Sequence, residues 1–163
     1  RRRASDQGYV ETLHGRRRYF PGLKDQRNYN LRNREEREAI NAKGKNWLLF
    51  GNQYINLDFL YREQLDRWAD GGLITRLDVA FSRDSTEKVY VQHRMQQNGA
   101  ELWSWLEAGA HFYVCGDAKR MAKDVEGALV DIATEHGKLS TDAAIAFVSD
   151  LKKNIAGLEA LAA

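Results

Sequence analysis

The 163-residue chain has 43% hydrophobic and 10% aromatic residues, a composition that excludes wholesale disorder. It contains one cysteine and four widely spaced histidines, which excludes an internal disulfide and gives no metal-binding pattern. No apolar run reaches the roughly 18 residues of a membrane-spanning helix. We therefore expect no metal site, no membrane partner, no signal peptide and a cytoplasmic location.

The net charge of +2 conceals two segments of opposite character. Residues 1–46 hold 13 Lys and Arg against 6 Asp and Glu, whereas residues 47–163 hold 12 against 17. The basic segment has few periodic apolar residues, and the acidic segment alternates between strand and helix patterns. We predict three parts of the chain: a basic arm over residues 1–43, an α/β domain over 44–154 and a tail over 155–163.

The elements follow in chain order from the apolar patterns. In the basic segment, residues 9–13 are the best strand candidate and residues 34–41 the best short helix. In the acidic segment, the continuous apolar run at residues 47–50 is typical of a strand buried on both faces. Residues 73–81, with Leu73, Leu77, Val79 and Phe81 on the buried side, and residues 111–115 are the second and third strands. Helical spacing of apolar residues predicts five helices: from a cap at Asn56 to Gly71, then 89–97, 102–106, 118–136 and 141–151. Strands that alternate with helices predict a parallel sheet.

Small or polar residues follow the predicted strands where each one ends. They are Gly51-Asn52, Ser82-Arg83 and Cys115-Gly116-Asp117. Right-handed crossovers place the carboxyl ends of parallel strands on one side of the sheet, where such sheets bind their ligands. The topology alone therefore predicts a binding site at this side.

The segment after the second strand offers groups that suit a phosphate and a purine. Arg83 and Lys88 supply two cations, Ser82 supplies a hydroxyl, and Tyr90 supplies a ring for stacking. Neither position 82 nor position 83 has an acidic residue that could bind the ribose hydroxyl of NAD, so the pattern favours NADP over NAD. The alternative is a solvated loop whose charges pair with nearby carboxylates, those of Asp84 and Glu87.

The end of the third strand also has two interpretations. Cys115 ends a buried strand, where most cysteines are inert small hydrophobes, but it also lies at the predicted ligand side. Gly116 permits close approach of a ligand to the backbone. Asp117 either caps the following helix or contacts the ligand.

Several motifs of the acidic segment, taken in order, resemble the NADPH-binding domain of the sulfite reductase flavoprotein family. They are residues 45–52 (KNWLLFGN), 80–84 (AFSRD), 88–92 (KVYVQ) and 113–118 (YVCGDA). The wider group is the diflavin reductases. The resemblance implies an α/β fold with a parallel three-layer sheet of the ferredoxin–NADP reductase NADP-domain type. It covers residues 44–153, and the family's first strand and glycine-rich turn are expected to be lacking.

The resemblance also implies roles for individual residues. In that family the matching positions hold the 2′-phosphate of NADPH, here Ser82, Arg83, Lys88, Tyr90 and Gln92. The matching strand end lies beside the nicotinamide, here Cys115, Gly116 and Asp117, with Cys115 and Asp117 in the catalytic positions. The family also binds FAD, in a domain that we expect to be absent here.

The basic segment carries a resemblance of its own. Residues 8–21 (GYVETLHGRRRYFP) and 36–42 (EREAINA) are similar to a stretch of family A DNA polymerases. That resemblance implies nucleic-acid contacts by Arg37 and Asn41, and the cluster Arg16, Arg17 and Arg18 adds cations for phosphates. The alternative is a poorly ordered, solvated arm.

The two resemblances together indicate a chimera. The leading hypothesis is a truncated NADPH-binding domain that is not catalytic alone, because hydride from NADPH needs a flavin acceptor. The alternatives are a DNA-binding module built on the basic arm and an inert artificial chimera. A sheet of only three strands would leave an apolar edge, so dimerisation through that edge is a further expectation.

Overall fold

A computed structural model of the protein describes most of the chain. The described residues are 9–14, 35, 37–39, 41, 43–59, 62–115 and 121–159. Within these ranges no helix combines the length and the apolar character that a membrane crossing requires.

Four parallel strands form one sheet. They are β1 (Tyr9–His14), β2 (Asn46–Asn52), β3 (Arg76–Phe81) and β4 (His111–Cys115). Their order across the sheet is β3-β2-β1-β4, and every neighbouring pair is parallel. All seven residues of β2 are buried, as a continuous apolar run predicts for an internal parallel strand. The three strands expected in the acidic segment are therefore confirmed, although β3 begins at Arg76 and not at residue 73.

The strand candidate of the basic segment is observed as β1, in the interior of the sheet. Val10 lies in register with Trp47 of β2 on one side and with Phe112 of β4 on the other. Its side chain is fully buried, at 0% exposure. The expected lack of a first strand is thus not confirmed, because β1 pairs along both of its edges and separates β2 from β4. With β1 in the interior, the outer strands of the sheet are β3 and β4, and the expected dimerisation stays a prediction.

Six helices connect and cover the strands of the described chain. They are α1 (Ile55–Asp58), α2 (Arg62–Asp70), α3 (Val91–Gln97), α4 (Gly99–Glu107), α5 (Met121–Glu135) and α6 (Thr141–Glu159). Asn56 lies inside α1 and does not cap a helix, and the helix predicted from Asn56 to Gly71 is divided into α1 and α2. Ser140 caps α6, with its Oγ accepting from the backbone N–H of Ala143 at 3.3 Å.

The core consists of two apolar clusters that alternate residues of β2 place on opposite faces of the sheet. Trp47 and Leu49 belong to the larger cluster, which includes Val10 and Phe112 and residues from α3 to α6. Leu48 belongs to the smaller cluster, together with Leu65 and Trp68 of α2 and Ile74. Helices therefore cover both faces of β2.

Residues 35 and 37–39 have helical backbone and contact α2, in agreement with the short helix expected at 34–41. The Trp68 indole donates to the Glu38 carboxylate at 3.1 Å. The Arg37 guanidinium is 7% exposed and donates to the Gly44 carbonyl oxygen at 2.7 Å. This part of the basic segment is therefore packed on the domain.

A charged network ties β2, β3 and α4 together at the amino ends of the strands. The Asp78 carboxylate accepts from Trp47 Nε1 at 2.7 Å and from Arg76 Nε at 2.8 Å. The Arg76 guanidinium also pairs with Glu101 and lies 4.4 Å from the centre of the Trp47 ring. Partial burial lowers the pKa of Arg76, but hydrogen bonds and attraction from Asp78 and Glu101 together outweigh it and raise that pKa. The cation is therefore permanent.

Candidate nucleotide-binding site

The carboxyl ends of all four strands meet at one side of the sheet, here called the carboxyl edge. His14 of β1 is in register with Gly51 of β2, Leu13 with Cys115 of β4, and Asn52 with Phe81. The order β3-β2-β1-β4 means that the chain moves outward from β1 in one direction and then returns to the other side of β1. The point between β1 and β4 is the topological switch point at which open α/β sheets form their ligand crevice.

Two backbone hydrogen bonds attach the segment after β3 to the segment after β2. The backbone N–H of Ser82 donates to the Asn52 carbonyl oxygen at 2.9 Å, and that of Arg83 donates to the Gln53 carbonyl oxygen at 2.9 Å. The Ser82 hydroxyl lies 3.4 Å from the same Asn52 oxygen, and Asn52 itself is buried. Two backbone hydrogen bonds thus hold the turn that follows β3 against the segment after β2, at Ser82 and Arg83.

The Asp84 carboxylate is engaged with α1. Its Oδ2 accepts from the backbone N–H of Ile55 at 2.7 Å, a donor that has no partner within the first turn of the helix. The side chains of Arg83 and Lys88 are exposed, and neither forms an ion pair with any side chain in the described ranges. The alternative interpretation, in which these cations pair with Asp84 and Glu87, is not observed.

Tyr90 and Gln92 lie at the start of α3, next to the two cations in sequence. Tyr90 is half-buried, and its backbone N–H donates to Nδ1 of His93 at 3.2 Å. The helix is anchored to the sheet by Arg94, whose Nε donates to the Val79 carbonyl oxygen at 2.9 Å. The five residues expected at the 2′-phosphate lie on one segment that runs from the end of β3 into the first turn of α3: Ser82, Arg83, Lys88, Tyr90 and Gln92.

The sequence analysis named Asn52 and Asp84 without the contacts by which they hold this segment, and it did not single out His93. His93 carries a detectable signal, because a hydrogen-bonding side chain three residues after a helix N-cap is the pattern of a capping box. Asp84 and Asn52 act on residues about thirty positions away, for which no local pattern exists.

Of the second predicted cluster, only the backbone of Cys115 is described, at the end of β4. The side chain of Cys115, Gly116 and Asp117 lie outside the described residues. Because β3 and β4 are the two outer strands, three strand spacings separate their ends, a distance of about 14 Å. Residues that could hold a ligand at both ends of the carboxyl edge suit an elongated molecule such as a dinucleotide.

The residues expected to contact nucleic acid gain no support. Arg37 is buried against the Gly44 carbonyl, as described above, so its guanidinium is not presented to a phosphate backbone. Asn41 Oδ1 accepts from Lys43 Nζ at 3.0 Å. Arg16, Arg17 and Arg18 lie outside the described residues. In the described ranges, no group of three His, Cys, Asp or Glu side chains could hold a metal ion.

A parallel sheet with a switch point and with helices on both faces is the architecture of nucleotide-binding α/β domains. The family model described as oxidoreductase NAD-binding domain matches residues 30–127, and the chain belongs to that family. The match begins inside the segment predicted as an arm and after β1.

The relatives found among characterised proteins are sulfite reductase [NADPH] flavoprotein alpha-components. The protein of Vibrio parahaemolyticus is 53% identical over 119 residues, which are 73% of this chain and 19% of the relative. Those of Yersinia enterocolitica and Escherichia coli K12 are 51% and 52% identical over 118 residues, 72% of this chain and 20% of each relative. The chain thus spans about a fifth of the length of these relatives. They support the reductase resemblance and leave the polymerase resemblance of the basic segment unsupported.

Proposed function

We propose that this chain is an NADPH-binding unit of the sulfite reductase flavoprotein type and that it binds the 2′-phosphoadenosine half of the cofactor beside β3. One observation carries the proposal above the others. Arg83 and Lys88 are exposed at the carboxyl edge without a described ion-pair partner, on a segment that is hydrogen-bonded in place. Two cations on one segment without a counter-ion among the described residues are suited to a dianionic group.

The side chains of this segment fit a phosphate monoester next to a purine. The planar guanidinium of Arg83 pairs with two phosphate oxygens, and the Lys88 ammonium acts as a point charge. The Ser82 hydroxyl adds a neutral donor, and the Tyr90 ring offers a face for adenine. Gln92, two residues further along α3, is assigned to the same phosphate by its position in the family motif.

The nicotinamide end of the proposed site is the end of β4. In this proposal Cys115, Gly116 and Asp117 contact the nicotinamide, about 14 Å from the phosphate end across the sheet. NADPH supplies the hydride, and the flavin of the relatives' type of protein receives it. We therefore expect the 163 residues alone to bind NADPH without oxidising it.

Calorimetric titration with 2′,5′-ADP and with 5′-AMP tests the proposal. We expect 2′,5′-ADP to bind at least about tenfold more tightly, because a charge-assisted pair with the 2′-phosphate contributes about 1.5–3 kcal/mol. The Arg83→Ala variant should lose most of that preference. Arg67→Ala is the matched control, because Arg67 is an exposed arginine in the last turn of α2, towards the amino ends of the strands.

Equal affinity of the wild-type protein for the two nucleotides would contradict the proposal, as would an equal loss in the Arg83→Ala and Arg67→Ala variants. A separate assay of NADPH absorbance with added FAD and ferricyanide tests the expected lack of turnover. Steady oxidation of NADPH above the rate without protein would refute that part.

A further inference from the structure

His93 makes two contacts with Tyr90, and neither the motif pattern nor the proposed function assigns it a role. Nδ1 of His93 accepts from the backbone N–H of Tyr90 at 3.2 Å. The two rings lie 5.6 Å apart between their centres, with an angle of 59° between their planes. One side chain thus contacts both the backbone and the ring of the residue proposed to stack on adenine.

The backbone hydrogen bond defines which ring atom of His93 faces Tyr90. Nδ1 of His93 is the acceptor and the backbone N–H of Tyr90 is the donor. Tyr90 is the N-cap of α3 and has extended backbone, with φ −117° and ψ 167°. His93 is the third residue of that helix, the position from which a side chain reaches back to the N-cap N–H.

The same contacts restrict the Tyr90 side chain. Holding the N–H fixes the backbone from which the ring projects, and the imidazole touches the ring at a tilted angle that is favourable for aromatic pairs. If an aromatic side chain becomes ordered only on binding, the entropy of ordering lowers the affinity for the ligand. A side chain that is ordered beforehand avoids this loss. We propose that His93 is a positioning residue that orders Tyr90 for adenine, an inference that rests on the proposed function.

Other contacts hold α3 in place, so the effect of His93 is separable from folding. Val91 and Met95 are both fully buried in the larger core cluster. Arg94 is bonded to the Val79 carbonyl of β3. These three side chains attach the helix to the sheet without any contribution from His93.

The role predicts a distinctive pattern of nucleotide affinities. The Tyr90 ring is proposed to stack on adenine, which 2′,5′-ADP and 5′-AMP share. Loss of that stacking in His93→Ala should therefore weaken both nucleotides, each by about fivefold. The His93→Gln variant retains an acceptor of the capping-box type and should stay within about twofold of wild type. Gln96→Ala is the control, since Gln96 is an exposed residue of the same helix.

A double-mutant cycle tests whether His93 acts through Tyr90. In the Tyr90→Ala background, His93→Ala should have no further effect on either affinity, since the residue that it positions has been removed. A purely structural role would lower affinity equally in both backgrounds. Should His93→Ala fail to fold, His93→Phe takes its place, because it fills the same space without an acceptor.

The outcomes separate this inference from the proposed function. One outcome would overturn only the role of His93. In it, the wild-type protein binds 2′,5′-ADP, the Arg83→Ala variant loses the preference for the 2′-phosphate, and the His93→Ala variant binds both nucleotides as tightly as wild type. Additive losses in the double-mutant cycle would overturn it as well. A wild-type protein that binds neither nucleotide would overturn both.

Discussion

Truncation of Val10 to alanine tests whether the basic segment supplies an internal strand of the sheet. Val10 is fully buried and in register with Trp47 and Phe112, which are buried too. The Val10→Ala change removes two methylene equivalents, at about 0.8 kcal/mol each. The cavity left between two fixed strands adds to this loss, so we expect the free energy of unfolding to fall by about 2–3 kcal/mol.

Urea denaturation followed by tryptophan fluorescence measures this change, with the transition midpoint shifting at constant slope. In a thermal melt, the same loss corresponds to a decrease of roughly 5–10 °C for a chain of this size. Val114→Ala is the matched control, because Val114 lies in the neighbouring strand β4 and is 37% exposed. The same chemical change there should cost about 1 kcal/mol or less.

The comparison of the two valines decides the question. If residues 9–14 were a solvated arm, Val10→Ala would change the free energy of unfolding by less than about 0.5 kcal/mol. A cost for Val10→Ala that does not exceed the cost for Val114→Ala would therefore refute the placement of β1 inside the sheet.

Two further predictions concern the packing around the sheet, both measured by urea denaturation. Gly137→Ala places a Cβ 2.5 Å from the Trp103 ring and should lower the free energy of unfolding by about 1–3 kcal/mol. Gly127 lies within α5 with nothing in reach of an added Cβ, so Gly127→Ala should raise the free energy of unfolding by about 0.5–1 kcal/mol. Changes of the same sign in the two variants would contradict this prediction. Asp78→Ala removes the acceptor of the Trp47 indole. It should lower the free energy of unfolding by about 1–3 kcal/mol and change the tryptophan emission. An unchanged urea midpoint would contradict a stabilising role for the charged network around Asp78.

The sequence predicted β2 because its residues are buried on both faces and form a continuous apolar run, and it predicted the outer strands β3 and β4 from their shorter apolar stretches. It placed the first helix less well. Asn56 has the side chain of a good N-cap, but Asp84, from the segment after β3, bonds the Ile55 N–H at that helix start. A contact between residues 29 positions apart leaves no local trace, so the start of α1 was not predictable.

Gly137 illustrates a residue whose position was predicted and whose physical role was not. The sequence indicated a helix end there, and α5 does end at Glu135. The residue with left-handed backbone, however, is Lys138, at φ 55°. Glycine at 137 is required by space, since the Trp103 ring occupies the volume of a side chain.

The candidate site was predictable in its residue types and not in its organisation. The sequence shows that a cation follows the end of a strand. It does not show whether that cation already has a counter-ion in the folded protein. Asp84 and Glu87 are the nearest carboxylates to Arg83 and Lys88 in sequence, so local pairing was a reasonable alternative. The structure removes Asp84 from that role through a backbone contact, and this change makes a phosphate site the better interpretation.

The placement of β1 explains how a segment outside the matched family region can belong to the domain. The family match begins at residue 30, yet β1 provides hydrogen bonds to both β2 and β4. An internal parallel strand must satisfy its two neighbours through backbone groups, which every residue except proline supplies, and must bury apolar side chains of suitable size. These demands concern hydrogen bonding and volume more than residue identity, so a segment of unrelated sequence can meet them. The carboxyl end of β1 lies next to the switch point, between the proposed phosphate and nicotinamide ends. We therefore expect the residues at the carboxyl end of β1 to affect how much more tightly the whole dinucleotide binds than 2′,5′-ADP.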